Sequence, residues 1–256
     1  MKHLLYCIVQ QDLDEPPPEP GMCVVAAHGL AAVVSRVEET SSAPSVSSLL
    51  AYERVVEAIH ARHAVIPLRY GCLMESESAI IRLLEDHSQE YEALLGRLRG
   101  MTEMGIRVLC PARPGFLPES PLSSGTAYLA SLRNRYSSGN SLAPEEAQLA
   151  DQITGLLSGC YIKEQREIAP ADQGRLLSLY FLTPKNDVER FRNKARQICP
   201  PGGTKLLLSG PLAAVQLCGV SWLILWDSIH GADSVLVPSA SVLAFLFLME
   251  SGGYMR

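Results

Sequence analysis

The sequence predicts an α+β fold in two modules, and three observations carry that prediction. Short β-rich runs alternate with apolar stripes at steps of three and four, first within residues 3–110 and again within 176–209. A Pro- and Gly-rich stretch, Pro111 to Pro121, separates the two regions. The chain has 256 residues, 47% of them hydrophobic and 19% charged, which is length for one large or two modest domains and enough apolar surface to offset the entropy of ordering.

The opening predicts three strands. The apolar run Leu4 to Val9 is far shorter than the core of a secretory signal and ends without a small-residue cleavage site, so it reads as a strand. The Pro-rich DEPPPEP that follows is a stiff extended connection. Met22 to Ala27 and Leu30 to Val37 are β-rich runs separated only by His28 and Gly29, the kind of gap that closes a hairpin.

Polar, turn-forming Thr40 to Ser48 then leads into the stripe Leu49, Tyr52, Val56, Ile59 and His63, an amphipathic helix. Ala64 to Tyr70 returns to strand character, with Pro67 placing it at an edge or a bulge because proline has no N–H for a ladder. From Ser76 to Leu98 the stripe Ile80, Leu84, His87, Tyr91, Leu94 and Leu98 predicts one long helix, capped by Ser76 and ended by Gly100 in a left-handed conformation. Glu103 to Cys110 reads as the strand that completes a first domain, residues 1–110.

Residues 111–170 read as a helical connector belonging to the second domain, with helices over Thr126 to Tyr136 and Pro144 to Cys160. Pro144 at the first helical position and Glu145 and Glu146 in the first turn suit the start of the second of these. Residues 171–256 form the C-terminal domain: Leu176 to Leu182 as strand, a helix carrying Val188, Phe191, Ala195 and Ile198, a turn at Pro200 to Gly203, and Thr204 to Ser209 as strand. The tail differs in composition. Val215 to Trp226 and Val235 to Met249 carry no charge, yet each falls short of the roughly 20 apolar residues that span a bilayer as a helix. They read as buried structure closing the second domain or as an apolar surface that binds a partner, with Phe245 and Phe247 as interaction candidates.

Composition argues against several functions. The 22 Lys and Arg against 27 Asp and Glu give a net charge of −5, with no general attraction for nucleic acid or an anionic membrane. Seven cysteines without C-x-x-C spacing fit a reducing cytoplasm rather than a zinc or disulfide framework. His60 and His63 share a helical face, the first requirement of a paired metal site, but no H-E-x-x-H glutamate stands between them, and core or boundary histidines are the simpler reading. Gly202 to Lys205 precedes a strand rather than a helix, the reverse of a phosphate-binding loop. No catalytic spacing is visible, and no cofactor is expected. The most distinctive cluster is Pro67, Leu68, Arg69, Tyr70 and Gly71, whose arginine is expected to form a structural ion pair with Glu103.

That cluster carries a resemblance. The segment Arg54 to Leu73, followed by Leu98 to Leu109, resembles the gas vesicle protein F/L family, whose members have a V-L-P-L-R-F-G-like strand, a long helix and a G-x-x-E-x-x-V-K-like strand. Val65, Pro67, Leu68, Arg69 and Gly71 match, as do Gly100, Glu103, Met104 and Val108. Ser124 to Arg133 is similar to the family's G-x-x-Y-L segment, and Leu208 to Pro211 to the strand leading into its G-P-x-P-P-Y motif. Tyr52 stands where the family usually has histidine, Tyr70 replaces another aromatic, and Leu212 to Val215 lacks the P-P-Y.

The resemblance implies two α+β domains, the second a modified ferredoxin-like fold with an added helical segment. It further implies a non-enzymatic minor structural component or assembly factor of gas vesicles in the cytoplasm, partnered by the hydrophobic shell protein and other accessory proteins. Binding the shell protein would limit its aggregation during vesicle formation, because a protein lining a gas space must expose a large apolar face beforehand. The alternative reading is an RNA-binding ferredoxin-like module, for which Tyr180 and Phe181 are the strand aromatics but lack flanking charge. A metal hydrolase at His60 and His63 ranks behind both.

Overall fold

The computed structural model describes residues 2–12, 19–37, 45–111, 142–171, 174–199, 205–214 and 217. The helix expected over Thr126 to Tyr136, the turn at Pro200 to Gly203, and the apolar tail apart from Leu217, with Phe245 and Phe247, lie outside the described residues. The chain divides into two units, Met1–Gly100 joined by Ala213 and the described residues after it, and Met101–Leu212.

In the first unit, β1 (Lys2–Gln10), β2 (Met22–Ala27) and β3 (Leu30–Val37) form an antiparallel sheet in which β3 lies between β1 and β2. The hairpin forms where expected: His28 has φ 52° and Gly29 φ 75°, the positive pair that a tight turn matching the strand twist demands. Helix α1 (Val46–His60) starts at Ser45, whose side chain accepts from the Ser48 N–H, and buries Leu49, Tyr52, Val55, Val56 and Ile59. It ends at His60, so His63 falls outside the helix and the two histidines do not share the helical face their spacing predicts. Two short strands, β4 (Ile66–Pro67) and β5 (Leu73–Met74), both pair with β1, giving the order β2-β3-β1-β4 with β5 also on β1. Pro67 thus stands on an edge strand, where a missing N–H costs no ladder bond.

The single helix expected over 76–98 is two, α2 (Glu77–Asp86) and α3 (Ser88–Leu98), broken at His87 with φ −115° and ψ 14°. The apolar stripe runs in step across the break, so periodicity alone reads straight through it. Separation lets α2 lie on β2 and β3 while α3 lies on β1, β3 and β4. Ser76 caps α2 through the Ala79 N–H, and Gly100 takes φ 71° beyond α3, both as expected.

The strand β6 (Met101–Pro111) corrects the expected division at residue 110. It is a central strand of the second sheet, antiparallel to β8 (Gly174–Pro184) and β9 (Lys205–Leu212), so the chain leaves the first unit at Gly100. Among the described residues of the connector expected over 111–170 the helix is α4 (Pro144–Leu156), and the connector also holds β7 (Lys163–Ala171), paired with β8. The run Lys163 to Glu167 carries four charged residues, Lys163, Glu164, Arg166 and Glu167, and hides the strand from hydrophobic periodicity because β7 is an edge, where charge blocks further pairing. A 3-10 turn, Lys185–Asp187, leads into α5 (Val188–Ala195).

The sheet order is β7-β8-β6-β9, with element order β6-α4-β7-β8-α5-β9. Alternate residues Met104, Ile106 and Val108 of β6 and Leu177, Leu179 and Phe181 of β8 pack on Ala150 and Ile153 of α4 and on Val188, Phe191 and Ala195 of α5. Phe181 stands edge-on to both Tyr161 and Phe191, with centroids 5.0 and 5.3 Å away.

Candidate functional site

The residues singled out around Pro67 come together at one edge of the first sheet. Cys7 and Ile8 of β1 pair with Pro67 and Ile66 of β4, while His3 and Leu4 pair with Met74 and Leu73 of β5. The chain between must loop out, and it turns at Gly71 with φ 90° while the Cys72 N–H donates to the Arg69 carbonyl at 3.1 Å. Glycine is required there because an L side chain disfavours that φ. Arg69 lies half-buried on this turn.

Opposite the turn, β1 shifts register against β3 between Leu5 and Cys7, leaving Tyr6 as the extra residue of a bulge. The Tyr6 carbonyl accepts the Leu68 N–H at 2.9 Å, and Tyr52 brings a further donor to the bulged backbone. Its hydroxyl lies 2.9 Å from the Leu5 and Leu68 carbonyls and 3.1 Å from that of Tyr6. The Tyr52 ring stacks on Tyr6 at 4.7 Å and meets Tyr70 edge-on at 5.3 Å, so the helix, bulge and turn are clamped through one side chain. Tyr52→Phe is expected to cost about 1–3 kcal/mol by leaving buried acceptors unpaired. Urea unfolding checks it, and a change within about 0.5 kcal/mol, as for an inert surface site, would mean that the hydroxyl does not seal the bulge.

Burial pushes the Cys7 and Cys72 thiols up to about 12. Burial is also the main cause holding the Tyr52 phenol well above its ordinary range, with Cys72, Cys7, Tyr6 and Tyr70 adding to it. None of the three is ionised near neutral pH, so the cluster organises shape rather than supplying a nucleophile.

Glu103 lies in the second unit, on β6, buried to 3% exposure. It shares the face of the sheet turned away from α4 and α5 with Arg107, whose guanidinium lies 5.8 Å from the centre of the Tyr180 ring and 3.5 Å from the Ser209 hydroxyl. Burial raises the Tyr180 phenol, and Glu167 adds to that. Tyr180 stands out in the sequence as a strand aromatic but Arg107 does not, because their proximity arises from a pairing across the sheet that no local spacing shows. Among the described residues no group of three or more His, Cys, Asp or Glu side chains is placed to hold a metal, and no helix is long and apolar enough to cross a membrane.

A family model described as "Gas vesicle synthesis protein GvpL/GvpF" matches residues 2–215, which include both units' described cores. No curated protein matches the chain. Two crystal structures share the fold. Gas vesicle protein GvpF from Microcystis aeruginosa is 12% identical with a TM-score of 0.64, over 85% of this chain and 98% of that one. Gas vesicle protein GvpF from Anabaena sp. PCC7120 is 16% identical with a TM-score of 0.53, over 86% of this chain and 99% of that one.

Proposed function

The chain belongs to the GvpL/GvpF gas vesicle synthesis family, and from that premise we propose that it is a non-enzymatic minor component or assembly factor that binds the hydrophobic shell protein. In this role it limits aggregation of the shell protein while vesicles form in the cytoplasm, alongside other accessory proteins. The family match over residues 2–215 is the observation that carries the proposal. The β-α-β-β-α-β order of the second unit, with sheet order β7-β8-β6-β9, supports reading it as a ferredoxin-like variant. RNA binding is less favoured, because Tyr180 and Arg107 are each 3% exposed and offer no open stacking surface.

Capture from vesicle-forming cells tests the proposal. Tagged protein is expected to bring down the shell protein, and recovery of neither shell protein nor other vesicle proteins would overturn it. The apolar tail supplies a second test. Val235 to Met249 has no charge, and leaving such a segment in water costs about 25 cal/mol per Å² of apolar area, so it closes the fold or meets a partner. Truncation after Asp233 is expected to remove either cooperative melting or shell-protein capture; a truncated chain that keeps both would show that the tail does neither.

A further inference from the structure

We propose that the outer edge of β2 is a pairing surface for a second copy of this chain, joining two first-unit sheets antiparallel through Met22 to Ala26. Among the described residues β2 pairs with β3 alone, and on its other edge the Met22 N–H turns back to the Glu19 carbonyl at 3.4 Å while Val24 and Ala26 have no ladder partner. Edge strands are ordinarily blocked by charge, proline or a bulge, and the sequence MCVVAA has no charge and no proline, while its pairing with β3 runs without a register shift. The other outer strands carry such blocks: β4 and β5 are two residues long, with Pro67 ending β4, β7 is rich in charge and contains Pro170, and β9 contains Pro211 and shifts register against β6.

The side chains of β2 add a second observation. Met22 packs at the margin of the core beneath α1, and Met22, Val24 and Ala26 share that face by strand alternation. Val24 is 37% exposed and Ala26 is exposed, while Val25 on the opposite face is buried. An uncharged edge bordered by exposed apolar side chains suits an uncharged strand, since an incoming charge would be desolvated without a partner.

The strand's own sequence meets that requirement. A two-fold axis perpendicular to the sheet keeps each face on the same side, so residues of equal parity must stand opposite one another. With Val24 opposite Val24, Met22 of each copy faces Ala26 of the other, and Cys23 faces Val25. Large side chains therefore meet small ones on the exposed face, and no like charges are brought together.

This proposal is independent of shell-protein binding, and its test separates the two. Directly opposed strand residues have Cβ atoms about 4.5–5.5 Å apart, near enough for a small adjustment to close a disulfide. Purified Val24→Cys is expected to form a covalent dimer under oxidised glutathione, whereas the wild type and Ile162→Cys, altered at an exposed site in the other unit, are not. Light scattering is expected to show a concentration-dependent wild-type dimer that Val24→Lys abolishes with its melting temperature unchanged. A wild type that stays monomeric, a dimer that survives Val24→Lys, or cross-linking of Ile162→Cys as efficient as that of Val24→Cys would each overturn the proposal. A monomeric chain whose capture of shell protein is lost in Val24→Lys would assign the edge to that partner instead, whereas a dimeric chain that captures no shell protein would leave this pairing standing and remove the function proposed above.

Discussion

Replacing Glu146 with alanine is expected to destabilise the protein by about 3–5 kcal/mol, the cost of stripping one partner from a buried ion pair. Glu146 on α4 and Arg175 on β8 are 6% and 9% exposed, and their charged atoms lie 3.1 Å apart. The same carboxylate oxygen accepts the Ala143 N–H at 2.7 Å, closing the helix start where alanine's own side chain can accept nothing. Loss of Glu146 therefore removes the carboxylate beside Arg175 and frees a helix-end donor as well. Urea unfolding measures the effect, and a loss below about 1 kcal/mol would mean that the pair behaves as a surface bridge. The double replacement Glu146→Leu with Arg175→Met is expected to recover most of the loss, because apolar side chains of similar volume remove both desolvation costs together.

Gly210→Ala is expected to have a comparable effect by steric means. Between Glu103 and Gly105 the register of β6 against β9 shifts, so that Met104 stands against the two residues Gly210 and Pro211. Gly210 adopts φ 106° at this bulge, and a Cβ placed there would lie 2.6 Å from the Glu103 carbonyl oxygen and 3.2 Å from the Met104 Cα. Those are backbone atoms of a central strand and cannot turn aside. Strain at such a φ costs about 1–3 kcal/mol, and overpacking adds about 1–3 more. Gly105→Ala makes the contrast: its Cβ would lie 2.5 Å from the Ser209 hydroxyl oxygen, a side-chain atom that can rotate, with ordinary φ. Comparing the two by chemical denaturation checks the argument, since an equal or smaller loss at Gly210 would refute it.

What the sequence shows and what it hides follow from the range of the interactions involved. The His28–Gly29 hairpin, the Leu49 to Ile59 portion of α1 and the Ser76 cap were legible because their causes lie within a few residues of one another. The break at His87 was not, because an apolar stripe at steps of three and four is equally compatible with one helix or with two in phase. β6 was seen as a strand but read as the close of the first domain, since its partners lie at Gly174 to Pro184 and Lys205 to Leu212, more than sixty residues downstream. At the candidate site, Pro67 and Gly71 announced an edge and a turn through their own backbone limits. Tyr52 looked like one more apolar-stripe residue, because the carbonyls its hydroxyl serves are up to 47 residues away.

Ala213, which follows the last strand of the second unit, packs in the core of the first with Cys7, Val33, Tyr52 and Val56. The first unit is thus assembled from two lengths of chain, with residues 101–212 inserted between them. During synthesis, residues 1–100 emerge from the ribosome well before the alanine that completes their core. The core of the first unit is therefore completed only after the whole inserted unit has been translated, so the unit begun first is the one finished last.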